Sequence, residues 1–300
     1  MSSPDLFDRP LLLARRARAA RLGPATFLVD RVADDLADRL AAVLRSFPLA
    51  ADLATPTSAV GDVLLASKAV TTVVTVDGMA ADAPRHAGLK VVADAETLPF
   101  HDASLDLVVS ALALQFVNDL PGTLVQVRRA LKPDGLFLAA LIGGDTLTEL
   151  RQSFAAAESE VEHGTSPRVA PFADVRALGA LLQRAGFALP VADIDRLVVR
   201  YSSPFALMAD LRRMAATNFL IERRRTPLRR ATLMRMVEIY CERFADADGR
   251  IRATFEIVWL SGWAPHDSQQ KPLAPGSAKR RLADALGTRE FPTGDKAGKA

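Results

Sequence analysis

Between residues 26 and 44 apolar side chains recur at steps of three and four, at Phe27, Val29, Val32, Leu36, Leu40, Val43 and Leu44. That spacing predicts an amphipathic helix. Ahead of it, an Ala-rich stretch with Arg9, Arg15, Arg16, Arg18 and Arg21 predicts a solvated helix. From residue 47 the period changes. Short apolar runs at 49–53, 71–76, 89–92, 105–110 and 135–141 predict strands, and TTVVTV at 71–76 is β-branched throughout, as a buried parallel strand is. Helical spacing over 60–68, 79–85 and 120–131 separates them. Such alternation predicts an α/β fold, a doubly wound sheet with right-handed crossovers, whose ligands bind beyond the carboxyl ends of the strands.

The second half predicts helices over 146–160, 172–185, 205–221 and 228–244, with Gly186 closing the second of them. Strands are predicted over 194–201 and 254–263. Trp259 and Trp263, four apart on the last strand, are expected on one face, and Cys241 is expected in the core. The expected organisation is N-terminal helices over 1–46, a seven-stranded domain over 47–264 with a helical cap inserted at 203–245, and a loop-rich basic tail over 265–300.

Composition narrows the function classes. A hydrophobic fraction of 49% and a charged fraction of 24% are ordinary for a globular chain and exclude a mostly disordered one. The longest unbroken apolar run, 136–142, is far short of the ~20 residues that span a bilayer, which leaves only peripheral association with a membrane. Residues 265–300 hold seven Lys/Arg against four Asp/Glu, and this alone accounts for the net charge of +3. The body is neutral, which argues against a nucleic-acid partner. A single cysteine excludes an intramolecular disulfide, and His86, His101, His163 and His266 lack zinc-site spacing, so no metal site is expected. A reducing cytoplasm is the expected compartment. Asp5 and Asp8 count against reading the Arg-rich start as a transit peptide.

Three phrases then fall in order: VVADAETLPF (91–100), LDLVVSALALQFVNDLP (105–121) and LKPDGLFLAALIGG (131–144). Together they resemble the third, fourth and sixth motifs of class I S-adenosylmethionine-dependent methyltransferases, which implies a seven-stranded Rossmann-like sheet. By this resemblance Asp94, with Ala95 beside it, matches the acid that reaches the adenine amino group. Gln115 and Phe116 match the loop that faces the cofactor. Asp77, ending TTVVTVD, matches the acid that holds the ribose hydroxyls, although Asp77-Gly78 also reads as a plain strand-end turn. Asp52 matches the acid ending the first strand. Phe7-Asp8-Arg9, GGDTLTELR (143–151), SPRVAPFADV (166–175) and GWAPHDSQ (262–269) resemble one branch, that of the respiratory complex I assembly factor called assembly factor five and its alphaproteobacterial relatives. This implies action on, or holding of, a subunit of NADH–quinone oxidoreductase, with arginine hydroxylation as the implied activity. The alternatives are methyl transfer to a small or carrier-bound substrate, as in the neighbouring methyltransferase of biotin synthesis, and a non-catalytic binding module.

The chain departs from that pattern where glycines are expected. Residues 52–57 read D-L-A-T-P-T in place of D-L-G-C-G-x-G, and Pro56 removes a donor from a loop whose task is to supply donors. S-adenosylmethionine binding is therefore expected to be weak or lost. Gln115-Phe116 replaces the branch's His-Trp, and RRMAATN (212–218) lacks the glycines expected around its methionine. No catalytic residue is identified. The candidate is Asp145, after Gly143-Gly144, which also reads as the N-cap of the next helix. Arg223, Arg224, Arg225, Arg229 and Arg230 read either as a dock for an acidic partner or as a solvated link.

Overall fold

The computed structural model describes residues 5–78, 88–270, 277 and 282–289, so the helix expected at 79–85 lies outside the described residues. The chain divides into two units at Pro265 and His266. The first opens with α1 (Arg9–Leu22) and α2 (Phe27–Ala41), followed by β1 (Phe47–Leu53), α3 (Ala59–Ala66), β2 (Val70–Asp77), β3 (Leu89–Val92) and β4 (Leu105–Ala111). Then come α4 (Leu120–Ala130), β5 (Leu131–Ile142), α5 (Thr148–Glu162), α6 (Val175–Arg184), β6 (Ala188–Tyr201), α7 (Pro204–Arg213), α8 (Arg230–Phe244) and β7 (Ile251–Trp263). In the second unit, α9 (Leu282–Leu286) follows a turn in which His266 Nδ1 meets the Ser268 hydroxyl at 2.7 Å.

Among the described residues the strands form one seven-stranded sheet in the order β3-β2-β1-β4-β5-β7-β6. β1 to β5 are parallel, while β7 runs antiparallel to both β5 and β6. The strand order reverses between β1 and β4, and their carboxyl ends splay there into the crevice where open α/β sheets bind ligands. Both faces of the sheet are covered. Val32 and Leu36 of α2 pack with Phe47, Val73, Leu107 and Trp259 on one face, and Leu124, Val127, Leu178 and Leu182 pack with Phe137 and Val258 on the other. Trp259 and Trp263 do share a face, each under a guanidinium: Arg39 is 4.4 Å and Arg45 4.9 Å from the ring centres. The register pairs Ile142 with Ile257 and Tyr201 with Ile251, so α7 and α8 leave and re-enter the sheet at its carboxyl edge.

Several elements differ from their expected bounds. The helix expected at 205–221 stops at Arg213, because Ala215 turns left-handed (φ +57°) and the Ala216 amide closes back on the Leu211 carbonyl. The apolar spacing that suggested a longer helix belongs to Phe219 and Leu220, which pack on Phe7 instead. There the Asp8 amide donates to the Phe219 carbonyl (2.9 Å) and the Ile221 amide to the Leu6 carbonyl (3.0 Å). α6 starts at Val175, since Asp174 caps it by accepting from the Ala177 amide at 2.8 Å. β6 extends back to Ala188. Cys241 is exposed rather than part of the core.

Candidate functional site

A cavity of about 570 Å³ opens beyond the carboxyl ends of the parallel strands. Its floor is Pro56, Thr57 and Ser58 of the β1–α3 loop, Asp77 ending β2, and Gln115 after β4. Arg16 of α1, Leu28 of α2 and Met214 cover it. A second cavity of about 340 Å³ adjoins it, sharing Leu28, Phe116, Ile142, Met214 and Ala216. Its walls are mainly apolar, and Phe7, Phe116 and Phe219 meet there with ring centres 4.9–6.0 Å apart.

Around the larger cavity the backbone is strained at three non-glycine positions. Ala54 (φ +59°), Leu112 (φ +51°) and Ala215 (φ +57°) are left-handed, at roughly 1–2 kcal/mol each for a side chain with a Cβ. Among the described residues five more non-glycine positions, Ala103, Asp134, Leu147, His163 and Leu189, are left-handed away from this cavity, so the backbone alone does not mark it. Ala54 and Ala215 stand where the sequence pattern led us to expect glycines.

Each residue singled out in the sequence has a definite place. Asp77 is buried and lines the larger cavity; Arg16 holds it in a two-point pair, at 3.2 Å to Oδ1 and 3.3 Å to Oδ2. Gln115 also lines the cavity, and its Oε1 is buried without a hydrogen-bond partner. Asp52 lies beneath the loop and does not line the cavity. Its Oδ1 accepts from the Thr55 hydroxyl at 2.5 Å, its Oδ2 has no partner, and burial pushes its carboxyl up to about 7. Thr55 in turn accepts from the Ala111 amide (3.1 Å), tying the loop to β4. Asp94 is half-exposed and pairs with Arg9 at 2.6 Å, while Ala95 is buried; neither lines the cavity. Asp145 is exposed and ion-paired to Arg196, and the expected cap is absent, since α5 starts after Leu147 without a side-chain cap. In the arginine link, Arg223 pairs with Asp8 (3.0 Å) and Arg224 with Glu162, so two of its five cations are spent inside the fold.

Sequence reasoning missed the pairing of Arg9 and Arg16, which lie seven apart on one face of α1 and reach Asp94 and Asp77 respectively. Apolar periodicity, the main signal in a sequence, marks no ion-paired face. Among the described residues no cluster of His, Cys, Asp or Glu could hold a metal, and no helix is long and apolar enough to cross a membrane.

Sheet order, switch-point cavity and strand-end acid define a protein of the class I methyltransferase fold. A family model described as a methyltransferase domain matches residues 54–139. The fold is also that of a candidate methyltransferase of Bacillus halodurans C-125, with a TM-score of 0.53, 16% identity, and coverage of 77% of this chain and 98% of that one. More specifically, the chain belongs to the family of arginine-hydroxylase NDUFAF5. It is 38% identical over 289 residues to the mitochondrial protein of Danio rerio, covering 93% of this chain and 89% of that one. With the Homo sapiens protein the identity is 39% over 283 residues, covering 91% and 81%. Malonyl-[acyl-carrier protein] O-methyltransferase of Xylella fastidiosa (strain M23) is 39% identical over 175 residues, 58% of this chain and 57% of that one.

The larger cavity fits a nucleoside cofactor. An acid at the end of β2 lines it, and a buried acceptor on Gln115, also in its wall, has no hydrogen-bond partner within the protein.

Proposed function

We propose that this protein is a complex I assembly factor that acts on or holds a subunit of NADH–quinone oxidoreductase and binds S-adenosylmethionine weakly in the larger cavity. The observation that carries the reading is the family match over nine-tenths of the chain, joined to a cavity that keeps its acid at Asp77. Asp77 would hold the ribose hydroxyls, and Gln115 Oε1 would take a donor of the ligand. When bound, the cofactor supplies an electrophilic methyl group on sulfonium. The weakness comes from the loop over 54–58, where Pro56 has no N–H and Cβ atoms keep the backbone from a close approach. Losing two or three hydrogen bonds at ~1 kcal/mol each weakens binding by roughly tens to hundreds of fold.

In this reading α7, α8 and their link form a cap over the carboxyl edge, and Arg225, Arg229 and Arg230 draw an acidic partner to it. A cytoplasmic location belongs to the same reading, since an exposed thiol at Cys241 suits a reducing compartment. The experiment is deletion of the gene in its source cell, with arginine mass spectrometry of the complex I subunits and a pull-down using the full chain. The expected result is a lower complex I level and one subunit recovered. Normal complex I with an unchanged arginine profile and no subunit recovered would contradict the reading.

A further inference from the structure

We propose that the smaller cavity binds an apolar carboxylic acid, with its hydrocarbon body among the aromatic and aliphatic side chains and its carboxylate at the end lined by Arg168, Arg212 and Thr217. The inference concerns the cavity beside the proposed cofactor site and does not depend on what the larger cavity holds.

Most of the wall is apolar. Leu150 and Phe154 of α5, Met208 and Leu211 of α7, and Phe255 of β7 line it, and its volume of about 340 Å³ suits a small ligand. Burying a hydrocarbon chain there is favourable in proportion to the area removed from water. Charge, by contrast, comes with one sign. Among the described residues the charged side chains lining the cavity are Arg168 and Arg212, and no carboxylate lines it. A cationic group, such as the guanidinium of an arginine side chain, would meet like charge there. An anion would be met by charge-assisted hydrogen bonds, the strong kind.

The polar groups of the wall lie together. The Asn218 side-chain amide donates to the Pro167 carbonyl at 2.6 Å, which holds residues 217–218 beside Arg168. The Arg168 side chain is 15% exposed, and its Nε and one terminal nitrogen donate to a single oxygen of Glu158, a carboxyl only 1% exposed that the Ser166 amide also holds. The other terminal nitrogen, with two N–H donors, has no partner among the described residues. Because the Arg168–Glu158 pair is neutral as a whole, Arg168 serves as an oriented donor, and Arg212, exposed and without an ion pair among the described residues, supplies the uncompensated charge. Thr217 accepts from Arg15 at 2.6 Å, so its own hydroxyl proton is left to donate. Burial and the nearby Arg223 guanidinium push Arg15 below the ordinary arginine range, with Asp8 offsetting part of the effect, so positive charge gathers behind this end of the cavity.

The test titrates octanoate, 1-octanol and octylamine calorimetrically into the full-length protein, three probes that share a hydrocarbon body and differ in an anionic, neutral or cationic end. Octanoate should fill one site about ten- to a hundredfold more tightly than 1-octanol, and octylamine should bind more weakly than either. Arg212→Gln should weaken octanoate by about three- to tenfold and leave 1-octanol within about twofold. Removing Arg168 alone would strand the buried Glu158 charge, so both are changed together, Glu158→Gln with Arg168→Gln, and thermal melts check folding. That double variant should weaken octanoate by about tenfold or more. If it fails to fold, Arg212→Gln carries the comparison. Octylamine binding as tightly as octanoate, octanoate binding no more tightly than 1-octanol, no saturable octanoate binding, or variants that weaken both probes equally or neither would each overturn the proposal. None of these outcomes bears on the larger cavity, whose own test uses a nucleoside.

Discussion

Ala54 and Ala215 hold left-handed backbone that glycine adopts without a Cβ penalty. Ala54→Gly should therefore leave stability unchanged or raise it by up to about 1 kcal/mol, relief of strain offsetting the greater freedom of the unfolded chain. Urea unfolding checks this, and a loss larger than about 1 kcal/mol would contradict it. Asp52 supplies a pH dependence. Its carboxyl titrates near 7 in the folded chain, against 3.8 for an ordinary aspartate, so the folded state binds the proton more tightly. The associated stability is fully present below about pH 3.8 and is lost as the pH rises through 7. Asp52→Asn should flatten that fall, gaining stability over the unaltered protein at pH 8 and little at pH 4. Equal slopes in both proteins would contradict the burial account. The acids themselves were legible in the sequence, because Asp52 and Asp77 end apolar β-branched or aliphatic runs. Their partners were not, since Arg16 is 61 residues from Asp77 in the chain and nothing local marks the pair.

At the scale of elements, α1 and the segment after α7 are joined through Phe7. Its ring is 4% exposed, packs on Phe219 at 5.4 Å and on Phe116 at 6.0 Å, and its residue bridges Leu220. Phe7→Ala should cost about 3–5 kcal/mol and loosen both segments together. Limited proteolysis checks the coupling: cleavage within 222–229 should accelerate along with cleavage before α1. Acceleration at only one of the two would show that the segments are independent. The sequence located the helices whose apolar faces meet the sheet, such as α2 and α4, because burial there writes a 3.6-residue period. It misjudged the end of α7, where Phe219 and Leu220 continue an apolar spacing but turn to meet Phe7, a long-range contact without local signature. The start of α6 and the full length of β6 were likewise set by a cap and by pairing with β7.

For the molecule as a whole, the sheet was legible because buried parallel strands are short apolar runs between helices, and because the methyltransferase motifs occur in order. The site was legible only in part. Asp77 and Gln115 line the larger cavity, whereas Asp94 and Asp145 pair with Arg9 and Arg196 and line neither cavity. The central claim is that the larger cavity is a nucleoside-cofactor site weakened by its own loop. Calorimetric titration of S-adenosylhomocysteine into the full chain and into an Ala54→Gly, Pro56→Gly variant tests it most directly. The account predicts one weak site in the unaltered protein and binding about five- to thirtyfold tighter in the variant, as one or two backbone hydrogen bonds return. Micromolar binding already present in the unaltered protein, or no binding in either, would contradict it.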